Sequence, residues 1–213
     1  MHEPNHPSRQ LDPIRWQQLW LRLGGSAPEN SFAELQAAYR QPSRHYHGEQ
    51  HILACLAHLD RYRALAAQPD LLELALWLHD LVYDSRRQDN EAASAAQARL
   101  WLEQAGLEAL AAKIEALILA TCHQAPATSP DEALLVDIDL AILASAPAVY
   151  ARYEADVRAE YAWVPEPLFR AGRARLLREF LAMPRLYQRD ELAAGWEKPA
   201  RENLAAALSR LED

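Results

Sequence analysis

The sequence predicts an all-α protein, a helical bundle with additional C-terminal helices in one domain. Three observations carry that expectation. Apolar residues recur at three- and four-residue spacing through most of the chain, few stretches alternate with period two, and alanine and leucine dominate between well-placed prolines and capping residues.

Residues 1–10, MHEPNHPSRQ, read as a frayed tail. A first helix follows, with Asp12 as its cap and Pro13 in its first turn, where a proline gives up no hydrogen bond. Its apolar face carries Trp16, Leu19, Trp20 and Leu23, and Gly24-Gly25 stops it. Residues 31–39 form a second, short helix capped by Asn30 or Ser31, and Gln41-Pro42-Ser43 breaks the pattern. The third helix is expected from about residue 47 to 67, with Ile52, Leu56, Leu59 and Tyr62 on one face and Pro69 marking its end. DLLELALWLHD, from 70 to about 80, is apolar on most sides and is expected at the centre of the bundle.

The loop DSRRQDN leads to a surface helix over about 90–105, and Gly106 separates it from a helix over 108–122. QAPATSP is a turn, with Ser129 as cap and Pro130 at the first position of a short helix holding DEALLVDIDLAIL. Further helices are expected near 147–161, 166–182 and 199–211. The run RAGRARLLREF, residues 170–180, reads as an amphipathic helix with a solvated basic face. No internal repeat is evident.

Twenty-two basic against thirty acidic residues leave a formal charge of −8 over 213 residues. That balance opposes a generic grip on nucleic acid, whose backbone must be neutralised by cations. It leaves room for a small anion held by a few arginines and a metal. Trp16, Trp20, Trp77 and Trp101 fall in helical apolar patterns, as core residues do, and not along a basic track of the kind that stacks bases. Cys55 and Cys122 are the two cysteines, each in an apolar helical stretch, so reduced core thiols in a cytoplasmic protein are expected. No cationic start precedes an apolar segment, and charges or amides interrupt every apolar run before the roughly 18 residues a membrane span requires. Neither a signal peptide nor a membrane partner is expected, and the chain is read as a monomer or homodimer.

The chemistry-bearing residues are concentrated in RHYHGEQH, residues 44–51, and in the His79-Asp80 pair. His47 and His51 stand four apart at an expected helix start, so they share a face. Asp139 sits among leucines and isoleucines in VDIDLAIL, where an unpartnered carboxylate is costly. A divalent ion would settle that cost and would explain imidazoles gathered near carboxylates. The plainer reading is that a single histidine on a helix is a packed core or surface group. An isolated His-Asp dipeptide says little; it is the order and setting of these residues that points to a metal.

That order is similar to one known family. YHGEQH, then HD, then a later Asp in DIDLAIL resembles the HD superfamily of metal-dependent phosphohydrolases over about residues 39–143, and HDLVYD, DNEAASA and ARENLAAAL resemble its small bacterial branch. The resemblance implies an all-helical fold and a metal site formed by His51, His79, Asp80 and Asp139. It implies Mn²⁺, Mg²⁺, Fe²⁺, Co²⁺, Ni²⁺ or Zn²⁺ as the ion, and hydrolysis of a phosphate ester, with small nucleotides among the substrate classes. The Tyr-His-x-x-x-His opening also resembles cyclic-nucleotide phosphodiesterases, which implies His47 as general acid. The further histidines of those enzymes are missing after HD. His47 and Asp80 are thus the catalytic candidates. A metal-activated water with a histidine one turn away is coherent chemistry, because imidazole exchanges protons near pH 7.

Four further residues have more than one reading each. Arg44 clamps a phosphate with two parallel donors, or pairs with a nearby acid. His123 contacts substrate or a second ion, or caps carbonyls at a helix end. Asp84 orients a ligand, accepts from a metal-bound water, or pairs with Arg86 or Arg87; Glu91 faces the pocket or caps a helix. Arg185, Tyr187, Arg201 and Asn203 are assigned to packing. Two alternatives stand beside phosphate-ester hydrolysis: a di-iron oxygenase of the same fold, and a metal- and nucleotide-binding protein without turnover.

Overall fold

The computed structural model describes residues 10–123 and 125–212, so the expected tail over 1–9, with His2 and His6, lies outside the described residues. The chain divides into two compact units, Met1–Ala125 and Pro126–Asp213. The boundary falls inside the 39–143 span that carries the motifs. Among the described residues the secondary structure is helical and contains no strand.

The first unit holds α1 (Pro13–Arg22), α2 (Ser31–Tyr39), α3 (Glu49–Tyr62), α4 (Pro69–Leu78), α5 (Asn90–Gln104) and α6 (Ala111–Ala120). α1 begins as its sequence dictates: Asp12 Oδ1 accepts from the Ile14 amide at 2.9 Å, with Pro13 at the first helical position. It ends where Gly24 takes φ +94°, a conformation that glycine adopts without steric cost. Asn30 precedes α2 with φ 64° and no side-chain cap; the Ser31 hydroxyl instead accepts from the Trp16 indole at 3.1 Å.

α4 is the hub. Every residue from Leu71 to Leu78 is buried, and the helix packs against α1, α3, α5 and α6. Trp16 meets Trp20, Trp77 and Trp101 edge-on, with ring centroids 5.5, 5.5 and 6.0 Å apart, a geometry favoured by the aromatic quadrupole. One charge sits inside this hub. Glu73 accepts from Arg15 at 2.7 Å, Arg22 at 2.8 Å and Arg63 at 3.0 Å, so three cations from the surrounding segments converge on the central helix.

α3 is shorter than its pattern suggests. It begins at Glu49 rather than 47 and ends at Tyr62, where a 3-10 turn over Arg63–Leu65 replaces the expected continuation to 67. Gly48 precedes it in extended conformation, and a Cβ at that position would stand 3.1 Å from the Tyr39 carbonyl oxygen. A side chain at Gly48 would thus crowd the neighbouring backbone, and His47 lies in the turn before the helix.

The second unit holds α7 (Pro130–Asp139), α8 (Pro147–Glu160), α9 (Glu166–Ala182) and α10 (Asp190–Glu212), with a 3-10 segment over Leu140–Ala144. Ser129 caps α7 through the Glu132 amide at 3.2 Å, ahead of Pro130. Leu143, Tyr150, Leu177, Phe180, Tyr187 and Leu204 form the centre of its core. α10 begins nine residues before the expected 199, because Pro199 lies inside the helix. Pro199 has no N–H to offer the Gly195 carbonyl four positions earlier, so one helical hydrogen bond is missing there. Arg173, in the expected basic face, turns inward to Glu154 at 2.8 and 3.0 Å and to Tyr153 at 2.9 Å. Tyr187 donates to the Leu140 carbonyl, and Asn203 to those of Leu143 and Ser145, so both serve packing. No single helix among the described residues is long and apolar enough to cross a membrane.

Candidate metal centre

The first unit assembles three donors from two helices. His51 lies on the buried stripe of α3, four residues before Cys55 and eight before Leu59. His79 caps the C-terminus of α4, where its amide donates to Ala75, and Asp80 begins the turn that follows. Both helices are held by the apolar contacts of the hub, so the side chains converge without a long loop between them.

The geometry is tight. His51 Nε2 stands 3.1 Å from His79 Nε2, and Asp80 Oδ2 lies 3.5 Å from the first and 3.2 Å from the second. Ligands about 2.1 Å from one ion are separated by about 3.0 Å along an octahedral edge and about 3.4 Å along a tetrahedral one. The observed triangle matches that range. His79 Nδ1 is 3.1 Å from the Leu76 carbonyl oxygen. A carbonyl only accepts, so Nδ1 carries the hydrogen and donates, which leaves the Nε2 lone pair directed at the other two donors. Burial pushes the Asp80 carboxyl up, but His79 first, and then His47 and His51, outweigh burial and hold it well below the ordinary carboxylate range. This His/His/Asp set can hold a divalent metal ion.

Around it, His47 is half-buried and stacks on Tyr83, with ring centroids 4.1 Å apart and planes within 24°, and its centroid is 6.1 Å from that of His51. It adjoins the donor set from the turn before α3, not from a shared helical face. Arg44 is buried, and its terminal nitrogens reach main-chain carbonyls: Nη1 donates to Asp80 at 2.6 Å and His47 at 3.3 Å, and Nη2 to Leu81 at 2.9 Å. These acceptors are main-chain oxygens of the segments that flank the donor set. Removing the guanidinium would leave two buried carbonyls without these donors, at about 1–3 kcal/mol each.

The remaining candidates are placed as follows. Asp84 Oδ1 accepts from the Arg86 amide at 2.9 Å and so shapes the 84–87 turn, while the Arg87 guanidinium donates to Asp89. Glu91 stands in the first turn of α5 and accepts from the Cys122 thiol. His123 follows α6 with φ 54°, a left-handed conformation uncommon outside glycine, and its amide donates to Ala120 at 3.3 Å. Asp139 is the last residue of α7, in the second unit, and is half-buried.

Sequence reasoning overlooked Ser94, Asn90 and Asp137. Ser94 Oγ accepts from the Val82 amide at 3.0 Å, and Asn90 Oδ1 accepts from the Asp84 amide at 3.0 Å, so α5 pins the segment after Asp80. Asp137, two residues before Asp139, accepts from the Gln188 and Arg189 amides at 2.7 Å each. Burial pushes its carboxyl up to about 6. Of the two acids in VDID, Asp137 is the fully buried one and serves the fold; only its side-chain type hinted at this.

No protein-family model, curated protein or solved structure matches the chain.

Proposed function

We propose that the protein is a metal-dependent hydrolase of small phosphate esters, with nucleotides as the substrate class to try first. One observation carries the reading: His51 Nε2, His79 Nε2 and Asp80 Oδ2 lie 3.1–3.5 Å from one another, with the His79 ring oriented by Leu76. The resemblance to HD phosphohydrolases adds Asp139 as a fourth ligand. A bound divalent ion would supply Lewis acidity toward water and a phosphoryl oxygen.

The chain's own residues supply the rest. Asp80 offers an anionic donor, and the Leu76 carbonyl orients the His79 ring beside it. His47 donates a proton to the leaving oxygen. Its stack on Tyr83 fixes the plane of the ring, which reduces the orientational freedom lost at the moment of transfer.

The test is metal content. The full chain, purified without chelator, is analysed for bound ions beside His79→Ala, Asp80→Ala and Asp139→Ala, and each is titrated with Mn²⁺. About one ion per wild-type chain, lost in the variants, supports the reading and opens a phosphatase screen under that ion, with His47→Gln lowering turnover but not binding. Two ions with iron prominent would favour the oxygenase alternative, and nucleotide binding without product would favour the non-catalytic one. Titrated wild type indistinguishable from the His79 and Asp80 variants would end the metal hypothesis.

A further inference from the structure

We infer that Arg44 is a positioning residue for the donor set, acting through the main chain of the segments that carry Asp80 and His47. The inference deepens the metal reading above.

Arg44 lies between α2 and α3, and its guanidinium is sandwiched in a polar and aromatic environment: Cζ is 5.2 Å from the Tyr39 ring centroid and 5.6 Å from that of Tyr83, the ring on which His47 stacks. Its donors reach the carbonyls of Asp80, Leu81 and His47. A single planar group thus joins the turn after α4 to the turn before α3. Two consecutive peptide planes, those following Asp80 and Leu81, are fixed by Nη1 and Nη2 at 2.6 and 2.9 Å. The plane after Asp80 sets the direction of its Cα–Cβ bond, and therefore where the carboxylate points. Ser94 and Asn90 hold the next residues of the same segment.

That restraint matters because metal–ligand distances fall within about 0.2 Å of their ordinary values, so the donors must be aimed closely. Groups that orient the ligands change metal affinity about 10–100-fold when lost. Lysine cannot take over: it presents a point charge without a rigid fork, so it cannot hold two carbonyls in fixed relative orientation.

The experiment compares full-length wild type, Arg44→Lys and Arg44→Met with Arg63→Met, whose arginine serves the Glu73 network instead. The first readout is the imidazole ¹H–¹⁵N spectrum of the metal-free protein, with the fold checked by circular dichroism. The His79 and His47 signals are expected to shift or broaden in Arg44→Met, less in Arg44→Lys, and not in Arg63→Met, while His58 stays in place. The second readout is Co²⁺ binding by visible absorption, with affinity about tenfold or more weaker in Arg44→Met and unchanged in Arg63→Met. Should Arg44→Met fail to fold, Arg44→Lys decides by the same comparison. Unaltered His79 and His47 signals in the folded Arg44 variants overturn the inference. A wild type that takes up no Co²⁺ or Mn²⁺ overturns the metal reading, while the imidazole spectra still decide the role of Arg44.

Discussion

Replacing Glu73 with glutamine keeps the shape of the side chain and removes the charge on which three arginines converge. In the wild type Oε1 accepts from Arg15 Nε at 2.7 Å, and Oε2 accepts from Arg22 at 2.8 Å and Arg63 at 3.0 Å. An amide has one accepting oxygen, so at least one guanidinium would face a second donor. A hydrogen bond to a charged group contributes about 1.5–3 kcal/mol, and the surviving contacts would weaken as well. Breaking a fully buried pair costs about 3–5 kcal/mol, but Arg15, Arg22 and Arg63 retain 26, 38 and 34 % of their side-chain exposure, and water would shield them in part. The expected loss for Glu73→Gln is therefore about 2–3 kcal/mol. Asp60 is the internal comparison. It binds both terminal nitrogens of the same Arg15 at 2.8 Å but is 53 % exposed, so Asp60→Asn should cost no more than about 1 kcal/mol. Urea unfolding followed by tryptophan fluorescence reports chiefly on the first unit, which holds Trp16, Trp20, Trp77 and Trp101, four of the six tryptophans. A Glu73→Gln loss below about 0.5 kcal/mol, or one equalled by Asp60→Asn, would refute the claim that burial distinguishes the two carboxylates.

Two other perturbations probe separate parts of the chain. Burial, and then the neighbouring Glu91, pushes the Cys122 thiol up to about 11, so its thiolate appears only as pH rises toward that value. Iodoacetamide labelling should rise about tenfold per pH unit from 8 to 10 and be faster in Glu91→Gln; a rate that levels off below pH 9 would contradict this. In the second unit, Arg173→Met should cost about 3 kcal/mol, because it strands Glu154 beside Tyr153 in a largely buried site. Arg175→Met, on the same helix but with an 80 % exposed side chain, should stay within about 0.5 kcal/mol in the same denaturation series; equal losses would remove the distinction.

The sequence by itself determined the helical class, most of the helix starts and the hub. Those features depend on neighbours along the chain: Asp12 and Ser129 cap within three residues, and the apolar run from Leu71 to Leu78 has no polar face to show to water apart from Glu73. It also marked His51, His79 and Asp80 as candidate ligands through their order. Tertiary structure decided what local pattern could not express. Pro199 reads as a helix start, yet the core contacts of Leu192, Ala200 and Leu204 hold one helix through it. His47 lies in the turn before α3, and Gly48 after it is where the Tyr39 carbonyl comes close. Arg44 could be weighed for phosphate or for an acid, but its acceptors are carbonyls up to 37 residues away, and backbone atoms carry no signature in sequence. Likewise nothing in VDID separates Asp137 from Asp139 until the Gln188 and Arg189 amides, about fifty residues on, arrive at one of them. Propensity and capping act over a turn of helix, whereas the partner of a buried polar group is chosen by which distant segment the core brings against it.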